Sequence, residues 1–243
     1  MWLGGKPQGV VGKDASVSSP ADALLTIYDR LLQQHGPQGW WPAETRFEVM
    51  VGAILTQSVA WSNVEKAIRN LKAAGLLNAA GLHRTPAAEL APLLRPSGYY
   101  NAKARKLKAL AAHLHDVYGC DIDRMLSQDR QTLRAELLAI HGIGPETADS
   151  IVLYGAGQPS FVVDSYTRRL LSRVGMVSAQ AGYEELQVIF EDNLPRDTAL
   201  YQEYHALIVQ HAKSTCRKNP LCAACVLLDI CQFGQSQRDE PPV

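Results

Sequence analysis

Residues 137–169 limit what this chain can become more than any other stretch. An apolar helical pattern ends at Ile140, a Gly142-Ile143-Gly144 turn follows, and a second helix can start at Pro145. Both glycines permit torsions and close approaches that a side chain would block. Proline suits the first turn of a helix, where its missing N–H costs nothing. The N–H groups of that turn have no helical partners, so they can bind a phosphate oxygen. A plain corner between two helices is the other reading of the same pattern. The apolar triplet Phe161-Val162-Val163 then leads to a single acid, Asp164. Asp before Ser165-Tyr166-Thr167-Arg168-Arg169 is well placed to cap a helix. A carboxylate held at such a point can also stabilise a developing positive charge or help activate a water.

The rest of the chain reads as helix almost throughout, so the expected class is all-α. Ser19-Pro20 opens a helix with Leu24, Ile27, Tyr28 and Leu31 on one face. A second helix over 45–56 carries Phe47, Val51, Ile54 and Leu55 as a stripe. Residues 57–61 interrupt it, and Ser62 with Glu65 has the capping-box spacing for the next helix. Thr85-Pro86 starts a short helix that 95–98 ends. The pattern over 101–118 predicts a helix burying Leu107, Leu110, Leu114 and Val117 beneath a basic outer face. Asp129 is expected to cap the helix before the Gly-Ile-Gly turn. Beyond Asp164, helical patterns cover 165–174, 182–192 and 197–213. No strand or internal repeat is legible.

Four of the five cysteines fall close together: Cys216, Cys222, Cys225 and Cys231, spaced C-x5-C-x2-C-x5-C, with Cys120 alone. One dense cluster and an odd count point to a metal site rather than disulfides. Four thiolates can hold zinc or a 4Fe–4S cluster. Structural zinc more often uses two short knuckles, and only Cys222 and Cys225 form one, so the spacing favours iron–sulfur. Lys213, Arg217 and Lys218 beside the cluster could turn its loop toward DNA phosphates. The net charge of zero argues mildly against nucleic-acid binding. Local basic runs weaken that objection: Lys103/Arg105/Lys106/Lys108, Arg168/Arg169/Arg173 and Lys213/Arg217/Lys218 are either a binding face or solvated helix surface. No run of 18 apolar residues exists, so no membrane partner is expected. Residues 1–19 lack an apolar signal core and read as a flexible tail of an intracellular protein; 234–243 read as a second tail.

The pattern Leu138-x-x-x-Gly142-Ile143-Gly144-x-x-Thr147-Ala148, then Val163-Asp164-x-x-x-x-Arg169, then the four-cysteine loop, resembles endonuclease III and the helix–hairpin–helix DNA glycosylase superfamily. Tyr100-Asn101-x-Lys103-Ala104 and Ile54-Leu55-Thr56-Gln57 are similar to further segments of it, and the likeness covers 21–231. The resemblance implies a two-lobed all-α fold with double-stranded DNA containing a damaged base across the cleft. One lobe, 41–159, contains the hairpin. The other joins 20–40 to 160–233 and carries the 4Fe–4S cluster. It also implies that a nucleotide is flipped from the duplex and its glycosidic bond cleaved. Asp164 would then support the positive charge on the deoxyribose, while Gly142, Ile143, Gly144, Lys213 and Arg217 contact DNA. Gln57 or Ser58 falls where the family places the wedge that fills the vacated stack. A monomer in the cytoplasm, associated with the nucleoid, is expected.

Two departures from the family pattern matter. The first cysteine interval is one residue shorter than the family's. More consequential is Glu146, where bifunctional members carry the lysine whose amine attacks the sugar. A carboxylate cannot form an imine, so lyase chemistry of that type is expected to be absent or weak. Glu146 reads either as an acid favoured by the helix dipole or as a group that orients a water or touches the flipped base. Trp40-Trp41-Pro42 and Trp61 resemble a branch of the superfamily in which some members remove 3-methyladenine. Cationic methylated purines are attracted to electron-rich rings; the bland reading of Trp40 and Trp41 is packing at a lobe junction. The expected activity is thus a monofunctional base-excision glycosylase. Its rivals are a bifunctional glycosylase/lyase on oxidised pyrimidines that uses another amine, a lesion-binding module without catalysis, and a redox iron–sulfur protein.

Overall fold

A computed structural model describes residues 19–239, so residues 1–18 of the tail expected at 1–19, and the last residues, 240–243, lie outside the described part, while Ser19 belongs to the first helix as its cap. Thirteen α-helices and no strand occur among the described residues. Helix α1 (Pro20–His35) starts as its sequence predicts. The Ser19 hydroxyl accepts from the Asp22 N–H at 3.1 Å, and the Asp22 carboxylate accepts from the Ser19 N–H at 3.3 Å. This reciprocal pair satisfies two donors that a helix start leaves free. Helix α2 (Arg46–Leu55) is more than a striped helix: every residue from Phe47 to Leu55 is buried. It runs through the middle of its lobe, touching α3 (Trp61–Ala73), α6 (Tyr100–Tyr118), α9 (Pro145–Ser150) and the π-helical turn Ile151–Gly155 that extends α9.

Three local expectations are corrected. Helix α3 starts at Trp61 with Ala60 as its cap, not with a Ser62 capping box. Glu65 is engaged elsewhere, accepting the Trp61 indole N–H at 3.0 Å. The basic run on α6 is a solvated face only at Arg105; its three lysines are engaged by the fold. Lys103 is only 2% exposed, and its ammonium donates to the carbonyls of Leu55 (2.9 Å) and Ser97 (2.5 Å). Lys106 donates to Gln57, and Lys108 to Leu82 O and His83 O. Val117, in the last turn of α6, is exposed rather than buried. Helices α4 (Ala79–Arg84) and α5 (Ala87–Leu93) pack on the other side of α6. After α7 (Ile122–Leu126), Asp129 caps α8 (Arg130–Ala139) by accepting from the N–H groups of Gln131 and Thr132, both at 3.1 Å.

The buried apolar residues form two cores. One gathers α2 through α9 and ends with Ile151 and Val152. The other joins α1 to Leu153, Phe161–Val163 and the last helices: α10 (Ser165–Val174), α11 (Tyr183–Asn193) and α12 (Thr198–Ser214). The chain changes core inside the π turn, between Val152 and Leu153. Polar locks tie the two cores together. Asp149 of α9 is fully buried and accepts from Arg134 (2.8 and 3.0 Å), Ser160 (2.6 Å) and the Tyr183 hydroxyl of α11 (2.9 Å). Glu191 of α11 accepts from Arg130 (2.7 Å) and from the Phe161 N–H (3.0 Å). These bonds fix the loop that delivers Asp164. At the C-terminus, residues 232–239 form a helix, α13 (Gln232–Asp239), packed on α10, where a tail was expected. The Arg173 guanidinium lies over the Phe233 ring at 4.7 Å and helps seat it.

Candidate active site

A cavity of about 140 Å³ opens between the two cores. The loop before α2 supplies Trp40 and Trp41, and α3 supplies Trp61. Trp41 meets Trp61 edge-on at 5.2 Å and Tyr154 at 5.2 Å, both measured between ring centroids. Trp41 comes this deep because α2 has Gly52 beneath it; a Cβ there would stand 3.2 Å from the indole ring. The sequence pattern does not mark that glycine. The same cavity is lined by Glu146, Asp164, His205 and Lys213. The Lys213 ammonium lies 5.7 Å from the Trp40 ring centre.

Asp164 is both a helix cap and a cavity wall. Its Oδ1 accepts from the N–H (2.7 Å) and hydroxyl (2.9 Å) of Thr167. Its Oδ2 stands 3.7 Å from His205 Nε2, an electrostatic contact rather than a formed hydrogen bond. Burial pushes this carboxyl up, but His205 and the Thr167 donors outweigh it, and it ends below the usual carboxylate range. Glu146 behaves in the opposite way. It opens to solvent through the cavity mouth, yet protein atoms crowd it. Desolvation and then repulsion from Asp164 push its carboxyl up, against a smaller pull from His205. The two carboxyls of one cavity are thereby set apart.

The hairpin is fastened to the loop after α2. Gln57 Nε2 donates to Gly142 O (3.2 Å) and Thr147 Oγ1 (2.9 Å), while Lys106 donates to Gln57 Oε1. Gly142 has a φ of +85°, and a Cβ on it would collide with the Lys106 stem. Ile143 is buried and anchors the turn. Gly144 faces open space, and no side chain caps α9 behind it. Ser58 is exposed at the loop tip with a left-handed φ of 58°. Gln57 and Ser58 thus differ sharply, one tied down and one free at the tip. Sequence reasoning missed His205, Tyr154 and the engagement of Lys106 with Gln57, which depend on long-range packing; it also missed the Thr167 donors, which are local to the Asp164 cap.

The chain matches a family model described as "HhH-GPD superfamily base excision DNA repair protein" over residues 51–196. It belongs to that family. A protein of Methanocaldococcus jannaschii named "Putative DNA repair glycosylase" is 49% identical over 212 residues, 86% of this chain and 96% of its own. A non-covalent endonuclease III–DNA complex shares the fold, with a TM-score of 0.79 at 22% identity over 90% of this chain and 99% of the other. Helicobacter pylori 3-methyladenine DNA glycosylase bound to 1,N6-ethenoadenine has a TM-score of 0.69 at 28% identity, covering 80% of this chain and 97% of its own.

In this HhH-GPD protein, Cys216, Cys222, Cys225 and Cys231 line one small apolar-walled hollow with Leu228 and Phe233. Arg173 donates to Cys216 Sγ at 3.3 Å, and the Gly234 N–H donates to Cys231 Sγ at 3.4 Å. Burial, reinforced by neighbouring sulfurs, pushes the Cys225 and Cys231 thiols up. Among the described residues, no three Cys, His, Asp or Glu side chains gather tightly enough to hold a single metal ion. Four cysteine side chains lining one hollow are the donor set that a 4Fe–4S cluster would use. The arginines of α10 serve this loop. Arg169 donates to Cys216 O (2.9 Å) and Ala212 O (3.1 Å), and Arg173 to Arg217 O (2.7 Å) and Lys218 O (3.0 Å). Arg168 donates to Ala181 O. That run is therefore committed to the fold and is not the free basic face it resembles in sequence. Arg217 and Lys218 themselves remain exposed.

Proposed function

We propose that this glycosylase is monofunctional: it releases alkylated purines from duplex DNA by hydrolysis and leaves the strand intact. The carrying observation is Glu146, a carboxyl on the cavity wall at the hairpin position where a bifunctional enzyme would present its lysine. A base entering the cavity meets the rings of Trp40, Trp41 and Trp61, which suit a cationic or extended purine. The ethenoadenine held by the Helicobacter relative is such an extended purine. A purine made cationic by ring methylation leaves as a neutral molecule, so for that substrate the site needs no strong general acid; an uncharged extended purine would need a proton as it leaves. Asp164, ionised and fixed by Thr167, lies where it can balance the positive charge left on the sugar. Glu146 orients the water that adds to that sugar. The open amides after Gly144 grip the phosphate backbone. Gln57 ties hairpin to loop, which leaves Ser58 as the residue that meets the vacated stack. Cys216, Cys222, Cys225 and Cys231 would hold a 4Fe–4S cluster, whose contribution is to brace the loop bearing Arg217.

The test uses a duplex with one 1,N6-ethenoadenine or 3-methyladenine. Released base and strand breaks are followed separately, before and after alkali. Base release with breaks only after alkali is expected. Lys213 also lines the cavity, so borohydride is added to trap any imine. A trapped enzyme–DNA adduct with breaks before alkali would overturn the monofunctional reading.

A further inference from the structure

Asp164 has one carboxylate oxygen committed to Thr167, and the other faces a single buried side chain, His205. His205 is 5% exposed, and its Nε2, the atom aimed at Asp164, has no hydrogen-bond partner. A buried polar atom left without a partner carries a cost, and a fold tolerates it where the atom has a use. The other ring nitrogen is fixed: the Tyr154 hydroxyl lies 2.8 Å from Nδ1 and 3.2 Å from Gln202 O. The Tyr154 hydroxyl has one proton to share between Gln202 O and Nδ1; when it donates its hydrogen bond to Nδ1, the imidazole carries its own proton on Nε2, directed at Asp164. Trp40 closes the edge of the ring, with centroids 5.9 Å apart. Tyr154 comes from the π turn, just after the chain changes core, and His205 from α12, so the pair joins two segments 51 residues apart.

We propose that His205, held by Tyr154, is the positioning residue of Asp164: it aims the free carboxylate oxygen into the cavity and keeps that carboxylate ionised beside Glu146. The proposal rests on Asp164 being the catalytic carboxylate. Asp164 is faced by Glu146 from α9, by Tyr154 from the π turn, and by His205 and Lys213 from α12. Glu146 and the Tyr154 hydroxyl do not favour its charge. His205, from α12 of the same core, is the adjacent group that does so.

The deciding experiment is a carboxylate titration by 13C NMR on the folded wild type and on His205→Leu, His205→Gln and Tyr154→Phe. It is paired with single-turnover base release from a 1,N6-ethenoadenine duplex. The Asp164 titration midpoint is expected to rise in His205→Leu and, by less, in Tyr154→Phe. Base release should slow about 10- to 100-fold in His205→Leu, with duplex affinity changed by less than about threefold. His205→Gln, whose amide can donate to the same oxygen, should recover most of the rate. An Asp164 midpoint that stays put in both His205→Leu and Tyr154→Phe overturns the proposal. If His205→Leu does not fold, Tyr154→Phe and His205→Gln carry the same test. The NMR arm needs no activity, so a wild type that releases no base would count against the glycosylase reading and leave this inference separately decidable.

Discussion

Asp164 holds two roles that substitution can separate. As a cap it uses one oxygen, which accepts from the Thr167 N–H at 2.7 Å and the hydroxyl at 2.9 Å. Asn keeps an oxygen for both bonds and caps a helix about as well as Asp, whereas Ala forfeits about 1 kcal/mol. For a chain of this size each kcal/mol moves Tm by about 2–4 °C. The cap therefore predicts about 1 °C or less for Asp164→Asn and about 2–4 °C for Asp164→Ala. The charge adds a pH-dependent part. The folded carboxyl titrates below its ordinary value, because His205 and Thr167 outweigh burial. A depressed folded value means stability that is present above the ordinary carboxylate range and is lost as pH falls through the folded value. The Tm difference between wild type and Asp164→Asn should accordingly shrink on acidification. Catalysis responds on another scale. Removing a preorganised electrostatic partner of a transition state costs about 100- to 1,000-fold in rate. Single-turnover base release and thermal melts at neutral and acid pH measure the two roles side by side. Wild-type release by Asp164→Asn would reduce this residue to a cap. Equal melting of the Asn and Ala variants would refute the cap arithmetic.

Glu146→Gln should raise Tm at neutral pH, because a carboxyl titrating above its usual value makes the folded state pay for ionisation. The gain should vanish below about pH 4, where the carboxyl is protonated in both states, and base release should fall; a Tm unchanged at every pH would contradict the crowding argument. Asp149→Ala strands Arg134 and the Tyr183 hydroxyl between the lobes. Breaking a buried pair costs about 3–5 kcal/mol, and Arg134 is partly solvated, so a melt should show a loss at the lower end of that range. Cys225→Ser should weaken absorbance at roughly 400 nm in anaerobically purified protein and lower Tm; an unaltered spectrum would remove Cys225 from the cluster.

The elements were legible where local chemistry decides them. Although the Asp22 half of the Ser19 capping box appears only in the structure, Ser19-Pro20 opens its helix, and Asp129 and Asp164 cap theirs, as the sequence predicts, because a cap is settled within four residues. The Gly142–Pro145 turn was legible for the same reason. Contact partners from distant segments were not. Lys103 and Lys106 look like a solvated basic face, since sequence periodicity cannot show that α6 runs beside the ends of α2 and the hairpin. Likewise Glu65 has capping spacing with Ser62 but is claimed by Trp61. His205 sits on α12 among apolar residues with no motif around it. Its importance comes from Asp164, 41 positions earlier, and from a π turn that no pattern announces.

The exchange of lysine for Glu146 is more than a lost nucleophile. An ammonium on that wall would itself balance Asp164. A carboxyl there instead repels it, and that repulsion adds to desolvation in pushing Glu146 up. Something else must then hold Asp164 ionised, and the structure gives it two donors from Thr167 and an imidazole from α12, while among the described residues no donor bonds the Glu146 carboxylate. Two like groups in one cavity are separated in this way by unequal partners, the arrangement that assigns distinct roles to paired carboxyls. It follows that Glu146→Lys alone should restore an amine at the wall yet also form an ion pair with Asp164. That pairing would make His205 dispensable: in the Glu146→Lys background, His205→Leu should slow base release far less than it does in the wild type. Equal slowing in both backgrounds would mean that His205 acts on something other than the Asp164 charge.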